Sequence, residues 1–465
     1  MTEELRYESL CIFEDERYPN FFPLSLDRPV FDLNIGTSTL RERLVEELSP
    51  SHISLLCRPY IAAVVSEELE ESDSYTIEVN SVSGDTVLFL NGRLLAFADE
   101  LIDILKELPQ GTVLHKNGIA VAALLNGGAI ASFFEYLGTF VRDEGVTRLM
   151  QEIKKVSQEE ISGGENGEDD AIADRIERLS AWASENGVEM KETNAILVSQ
   201  MWHLITENSK CIEDDFSKSP VTGTAPDTEL FKGVDIINEE NIIIGSDVEV
   251  RSGTVLDASD GPIIILDGAR IEPNAILYGP CFIGENVVVR GGAKIGHGTS
   301  VGKWCKVGGE IEETIFSAFS NKQHEGFIGH SYISSWVNIG AGSCNSDLKN
   351  NYGYVKAWAA GRIKDTGRRF LGVVVGSHSK IAINSRINTG SVIGFNANVM
   401  SNSFPPKFVP SFTWQLEPDF VEYDLDSALE TAGVMMSRRD IEMSEALVDL
   451  FKAIFRFSRQ SAHSI

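Results

Sequence analysis

The sequence has no apolar run of membrane length. Its longest, Ile119 to Leu125, falls far short of the roughly 20 residues that a spanning helix needs. The opening MTEELRYESL lacks the basic start and apolar core of a secretory leader. None of the 6 cysteines forms a CxxC pair, which argues against a disulfide framework or a sulfur-ligated zinc site. Positive charge is scarce as well: the formal net charge is −29, which makes nucleic acid and anionic membranes poor partners. The expectation is a cytoplasmic, globular protein without a nucleic-acid or membrane partner.

What remains is unevenly distributed. Residues 1–230 carry 18 Lys and Arg against 43 Asp and Glu, a net −25. Residues 231–410 carry 17 against 16, a net +1, and residues 411–465 carry 5 against 10, a net −5. A neutral middle between acidic flanks predicts three units, at 1–230, 231–410 and 411–465, and the middle best suits an anionic small molecule.

The middle unit is periodic. From Ile265 an apolar residue recurs at every sixth position: Ile265, Ile271, Leu277, Ile283, Val289, Ile295, Val301, Val307. A small or slim residue stands four places after each of the first seven, from Ala269 to Cys305. Neither the helical period nor strand alternation produces that pairing. A triangular coil of short strands does, with the large residue pointing inward and the slim one at the corner. The expectation is a parallel β-helix of hexapeptide repeats. It starts near Ile244, is interrupted at roughly 308–327 and 343–371, resumes at Ile333 and Ile339 and again at Val375–Val399, and ends at Pro405-Pro406. Interruptions in a solenoid project as loops and carry function.

In the first unit, Leu10–Phe13, Thr86–Leu90 and Thr112–Leu114 read as strands. Thr39–Leu48, 100–108, Ile172–Asn186 and Asn194–Glu207 read as helices, and the acidic, glycine-rich 161–171 as a loop. This alternation predicts an α/β unit with a parallel sheet. At the end, Asp424–Met436 and Asp440–Phe455 read as helices. The second has an apolar face (Ile441, Leu447, Leu450, Phe451, Ile454) suited to packing on the coil or on a second copy.

Within the first interruption, His324 stands among polar residues and leads back into a coil. An imidazole there is a candidate general base. His297, His324, His330 and His378 could instead hold a metal on a coil, as in carbonic anhydrases of the γ type.

Residues 324–342, HEGFIGHSYISSWVNIGAG, resemble the H-L-T-Y-L-G-D-A-E-I-G-D-N-V-N-I-G-A-G stretch of the bifunctional N-acetylglucosamine-1-phosphate uridyltransferase/glucosamine-1-phosphate acetyltransferase family. The five-residue step from Ile328 to Ile333 is part of the match. Val375-Gly376-Ser377 resembles that family's V-G-S, and Phe21–Leu40 a divergent nucleotidyltransferase signature. The resemblance implies a left-handed coil, a Rossmann-like nucleotidyltransferase unit before it, and a homotrimer. It implies acetyl-coenzyme A as cosubstrate, an amino sugar phosphate as acceptor, and a nucleoside triphosphate for the N-terminal unit, with Mg²⁺ if that unit is active. His324 becomes the base, Asn338 a sugar contact, and Ala341 and Ser377 the lining of the coenzyme groove.

The chain departs from that pattern in several places. Phe327 replaces a tyrosine in the sugar site, and Gly309–Glu313 replaces V-E-M-K-K, which carries a phosphate-binding lysine. Lys322 stands one residue nearer the histidine than the family's lysine, and the loop from Asn345, with Lys349 and further basic residues to Arg369, is a replacement source of positive charge. In the N-terminal unit no glycine-rich loop follows Phe13. Arg28 occupies the signature lysine position, and Asn91 stands where the family binds metal through aspartate. Two functions follow: an N-acetyltransferase in amino-sugar nucleotide synthesis, fused to a nucleotidyltransferase-like unit, or a non-catalytic sensor or assembly protein that keeps both folds.

Overall fold

Runs such as Ser9–Phe13, apolar from Leu10 on, suit strands buried on both faces, because successive side chains alternate between two covered sides. In the computed structural model this strand lies third in a seven-stranded sheet, beside the central Thr86–Asn91. The structure describes residues 7–69, 75–95, 97, 104–105, 108–142, 166–218, 231–400, 403–416 and 420–460. The strand order is Thr76–Val79, His52–Leu56, Ser9–Phe13, Thr86–Asn91, Ile119–Asn126, Thr112–Lys116, Glu189–Glu192. Leu10 and Ile12 pack to one side with Leu88 and Leu90, and Cys11 and Phe13 to the other with Phe133 and Trp182. The sheet is mixed, not parallel as expected: Ile119–Asn126 runs antiparallel to both neighbours. The short Asn117-Gly118 turn between Thr112–Lys116 and Ile119–Asn126 leaves no room for a crossover helix, so the chain can only double back.

Three of the expected helices shift. The acidic 161–171 stretch, read as a loop, is helical from Asn166, the start of Asn166–Asn186. Asn194–Glu207 becomes Met201–Lys218, and Asp440–Phe455 becomes Glu445–Gln460. Of the helix expected at 100–108, residues 100–103 and 106–107 lie outside the described residues. Thr39–Leu48 is well placed: Leu40–Leu48 opens with Thr39 as its cap, the Glu42 amide donating to Thr39 Oγ1 at 3.1 Å and the Thr39 amide to Glu42 Oε2 at 2.8 Å.

From Asp235 the chain winds through three sheets, of 9, 10 and 6 strands, parallel except for the last strand of the ten, stacked around one narrow interior. The fold is therefore an α/β domain followed by a β-helix and terminal helices. The register puts equivalent residues directly above one another: Ile265 beside Ile283, Ile283 beside Val301, and Ile271 beside Val289. The slim positions Ala269, Ala275, Cys281, Val287, Thr299 and Cys305 are fully buried, as the pattern requires.

The expected interruption at 308–327 does not exist. Ile311, Phe316, Lys322 and Ile328 fill successive inward places. One step there is five residues long and one inward residue is a lysine, and these two departures hid a continuous coil. Lys322 is 0% exposed in a column whose other members include Val289, Val307 and Ile339. Its ammonium donates to the carbonyls of Gly308 (3.4 Å), Glu325 (3.0 Å) and His324. Burial pulls it below its ordinary pKa.

The second interruption is real. It carries the hairpin Lys356–Ala359 and Arg362–Asp365, whose Trp358 packs into the core shared with the N-terminal sheet, while Lys364 Nζ reaches Asn20 Oδ1 at 3.1 Å. The coil also continues past Pro405-Pro406 through Phe408–Val409 and Thr413–Gln415. The antiparallel strand Phe420–Glu422 then pairs with Thr413–Gln415 and closes the ladder. Leu425–Ser437 and Glu445–Gln460 fold back along the coil, and Phe451 meets His378 and Phe395 with ring centroids 4.9 Å away in each case. Among the described residues no helix is long and apolar enough to cross a membrane.

Replacing Lys322 with Met keeps the length of the side chain but leaves the carbonyls of Gly308, His324 and Glu325 short of a donor. Denaturant unfolding should show a loss of about 1–3 kcal/mol.

Candidate functional site

The second face of the coil ends at a corner formed by Gln323-His324-Glu325-Gly326. The corner is tight: Gly326 has φ 127°, and a side chain there would meet the Ser343 carbonyl. His324 is exposed and lines an open cleft of about 520 Å³ together with Arg290, Glu272, Gln323, Glu325 and Ala341. The main chain that follows the His324 side chain is fixed by Lys322, because the carbonyls of His324 and Glu325 both accept from its ammonium. Across the cleft, Glu272 accepts from Arg290 at 2.9 Å and from Arg270 at 3.2 Å. An exposed imidazole beside a guanidinium can accept a proton from one part of an anionic ligand while its charge is held by another.

Of the expected residues, His324 and Ala341 come together in this cleft. Asn338 is exposed but lines an adjoining pocket of about 340 Å³, joined to the first through Gln323. Phe327 is half-buried, its ring over Gly329. Lys349 donates to the Tyr354 carbonyl at 3.2 Å within its own loop.

Three expectations for the coil are corrected. Lys322 was expected among the substrate-binding residues, but its charge is spent inside the coil. Asn345 was read as a substrate contact, yet it occupies an inward place and clamps Gly329, accepting from its amide at 2.9 Å and donating to its carbonyl at 3.0 Å. Ser377 was expected to line an open coenzyme groove. It is 0% exposed, and the neighbouring His378 ring lies under Phe451 of the last helix.

Sequence reading missed two features. Arg290 was hidden because it is one outward residue of an otherwise regular repeat. The second is a paired imidazole: His330 Nδ1 lies 2.8 Å from Asp347 Oδ2 and its ring stacks on Phe370 at 5.0 Å. The residues are 17 apart, and only the coil's repeat could have brought them together. Among the described residues no three His, Cys, Asp or Glu side chains converge on a metal-sized site, so the four histidines of the γ-type metal reading do not assemble.

In the N-terminal domain a ligand crevice would open beyond the carboxyl ends of the central strands. Here that region is filled by the chain's own side chains. Arg58 pairs with Glu14, Nε to Oε2 at 3.0 Å, both side chains 0% exposed, and lies over the Tyr18 ring at 4.5 Å. Arg93 pairs with Asp15, Nη2 to Oδ2 at 2.5 Å, and also donates to the Val198 carbonyl at 2.6 Å. Asn91, expected to meet substrate or metal, is 0% exposed and donates to Asp15 Oδ2 at 2.7 Å and the Ala120 carbonyl at 2.9 Å. These donors do not fit Mg²⁺, since each carboxylate already serves a guanidinium. Arg28 faces away from this region: its Nη2 donates to Asp27 Oδ2 at 3.1 Å and to Ser335 Oγ of the coil at 3.2 Å. It lines a cavity of about 730 Å³ bounded by the N-terminal domain, the coil and the terminal helices.

Comparison with known proteins agrees with the resemblance. Residues 10–219 match the family model described as sugar nucleotidyl transferase. The chain is 29% identical over 196 residues to the bifunctional protein GlmU of Wigglesworthia glossinidia brevipalpis, covering 40% of this chain and 38% of that protein. It is 28% identical over 187 residues to GlmU of Carboxydothermus hydrogenoformans, covering 36% and 39%. It is 27% identical over 205 residues to a bifunctional sugar-1-phosphate nucleotidylyltransferase/acetyltransferase of Sulfurisphaera tokodaii, covering 43% and 44%. The chain thus spans about two fifths of the length of the curated relatives it matches. A solved Arabidopsis UDP-N-acetylglucosamine acyltransferase matches 45% of this chain and 78% of its own at 16% identity, with a TM-score of 0.20, too low to bear on the fold.

Removing one partner of a buried ion pair strands the other charge. Arg93→Met should therefore cost about 3–5 kcal/mol in urea unfolding. Burial pushes the Asp15 carboxyl up, but Arg93 and Asn91 outweigh it and hold the group below its ordinary value. A carboxylate depressed in the fold contributes stability above its unfolded pKa and loses it as pH falls through the folded one. Acid titration of unfolding free energy should show that loss below about pH 4 in the parent, and a smaller one in Arg93→Met.

Proposed function

We propose that the coil is an acetyl-coenzyme A-dependent N-acetyltransferase acting on an amino sugar phosphate of the glucosamine-1-phosphate class, with His324 as general base. The observation that carries this reading is an exposed His324 sharing one cleft with Arg290 and Ala341, on a chain similar to bifunctional nucleotidyltransferase/acetyltransferases. In the reaction the sugar amine attacks the thioester carbonyl carbon and His324 takes the amine proton. The carbon–sulfur bond then breaks, and coenzyme A leaves as a thiolate that is reprotonated. Arg290, bonded to Glu272, stands where it can offer charge to the sugar phosphate, the part that Lys322 and the replaced V-E-M-K-K stretch cannot play. Phe327 supplies no hydroxyl, and Asn338 faces the adjoining pocket.

The cleft is open on one side, which supports completion by a second copy in a homotrimer, and the reading places the protein in cytoplasmic amino-sugar nucleotide synthesis. The internal ion pairs Glu14–Arg58 and Asp15–Arg93 favour a second element: an N-terminal domain that keeps the nucleotidyltransferase-like fold without nucleotidyl transfer. No step through Mg²⁺ is assigned to it.

Acetyl transfer to glucosamine-1-phosphate, followed by thiol release, should fall by about 10²–10⁴-fold in His324→Ala. His330→Ala, at the paired imidazole, should retain activity. Unchanged turnover in His324→Ala overturns the mechanism, and pyrophosphate release from UTP by the parent chain overturns the assignment of an idle N-terminal domain. A chain that binds acetyl-coenzyme A without turnover would favour the sensor reading.

A further inference from the structure

Where the N-terminal domain, the coil and the terminal helices meet, they border a cavity of about 730 Å³. Neither the proposed acetyl transfer nor the ion pairs of Glu14 and Asp15 use it. Its floor is apolar and buried: Val64 comes from the N-terminal domain, Phe282 and Phe395 from the coil, and Met436 and Leu450 from the terminal helices. Three polar groups line the same space with atoms unused. Asp27 Oδ2 accepts from Arg28 at 3.1 Å, but Oδ1 is buried without a partner, and the side chain is 9% exposed. Arg28 Nε and His378 Nδ1 are likewise buried and unpartnered among the described residues. Burying a carboxylate oxygen without a donor is costly. Asp27 therefore points to a donor that the described residues do not supply.

The mouth of the cavity is acidic. Glu42, Glu67 and Glu68 reach it from the N-terminal domain, Glu285 from a coil corner and Glu442 from the segment after Leu425–Ser437, and all five are exposed. Among the lining residues Lys303 is the one exposed cation. The deeper charges cancel: Arg28 pairs with Asp27, and Arg41 Nε with Asp32 Oδ1 at 2.5 Å. Glu67 accepts from Ser444 Oγ, whereas Glu68, Glu285 and Glu442 have no hydrogen-bond or ion-pair partner among the described residues. Burial, with Lys380 and Arg28 nearby, holds His378 well below its ordinary pKa, so that ring adds no positive charge to the floor. Carboxylates brought from three parts of the chain to one mouth repel each other unless a cation joins them.

We propose that this cavity binds an organic polyamine, one ammonium group at Asp27, others at the mouth carboxylates, and the body over Phe282 and Phe395. A metal ion does not fit the same charges, because among the described residues no three His, Cys, Asp or Glu side chains converge on a metal-sized site. Carboxylates spread around a mouth call for spaced ammonium groups, and an apolar floor calls for methylenes or ring carbons to cover it. A phosphate-bearing ligand is repelled by that mouth. Aliphatic and polyhydroxylated polyamines share the chemistry. Since all three parts of the chain contribute, the ligand also ties the N-terminal domain to the coil. Binding needs neither His324 nor turnover.

The test is calorimetric titration of the full chain with spermidine and with neamine at about 0.15 M salt, with Mg²⁺ as the control for charge alone. One amine per chain should bind, and an equal concentration of Mg²⁺ should not displace it. Glu68→Gln and Glu442→Gln, both on exposed side chains, should each weaken binding about fivefold. Glu185→Gln, exposed on the helix Asn166–Asn186 away from the cavity, should leave it unchanged. Asp27→Asn should weaken it about thirtyfold or more, and the two mouth variants decide the matter if that variant fails to fold. Tighter binding of spermidine identifies an aliphatic polyamine, and tighter binding of neamine a polyhydroxylated one. No saturable binding of either amine, displacement by Mg²⁺, or equal losses in Glu185→Gln and the mouth variants overturns the proposal. Full turnover in His324→Ala would sink the catalytic reading and leave these binding results untouched.

Discussion

A coil one side chain wide in its interior can hold a charge only by satisfying it from its own backbone. Lys322 meets that constraint. Its ammonium stands where neighbouring coils have valine or isoleucine, and it is saturated by carbonyls of Gly308 and of the very corner that presents His324. A buried cation without acceptors would be costly. With them, it fixes main chain that no apolar side chain could hold. The exposed imidazole and the cleft beside it stand on this corner. Asn345 does similar work one coil on, its amide closing both hydrogen-bonding groups of Gly329.

The N-terminal domain treats polar groups differently. Its fold leaves a crevice at the ends of the central strands, and there Glu14, Asp15 and Asn91 meet Arg58 and Arg93 instead of a ligand. Such pairs are weak evidence for extra stability, because desolvation offsets much of the attraction. They do occupy the space and the charge that a triphosphate would require. The domain instead offers surfaces for docking: Arg28 meets Ser335, the Asn34 amide donates to Tyr332 Oη at 2.9 Å, and Asn208 reaches the Gly298 carbonyl at 2.9 Å. These contacts hold the coil against it.

The coil was legible because every inward place on three faces must be filled, and an isoleucine or valine every six residues records that directly. Legibility failed where the filler was Lys322 or where a step shortened to five residues, since both imitate a loop. His324 and Ala341 could be placed together because they sit at equivalent corners of successive coils. Ser377 occupies the same kind of position further on, but nothing local announces that Phe451 covers its neighbour. The apolar face of the last helix was plain in the sequence and its target was not. The plug in the N-terminal domain was half visible: Asn91 showed what had been lost, whereas Arg58 and Arg93 lie far from their partners in the chain. The reversed direction of Ile119–Asn126 was set by a short turn that composition alone does not weigh.

The closing strand Phe420–Glu422 has its own consequence. A stack of parallel strands exposes unpaired amides and carbonyls at its last rung, a template that invites a further chain. By running back against Thr413–Gln415, this segment gives the last rung of one of the three faces a partner within the chain.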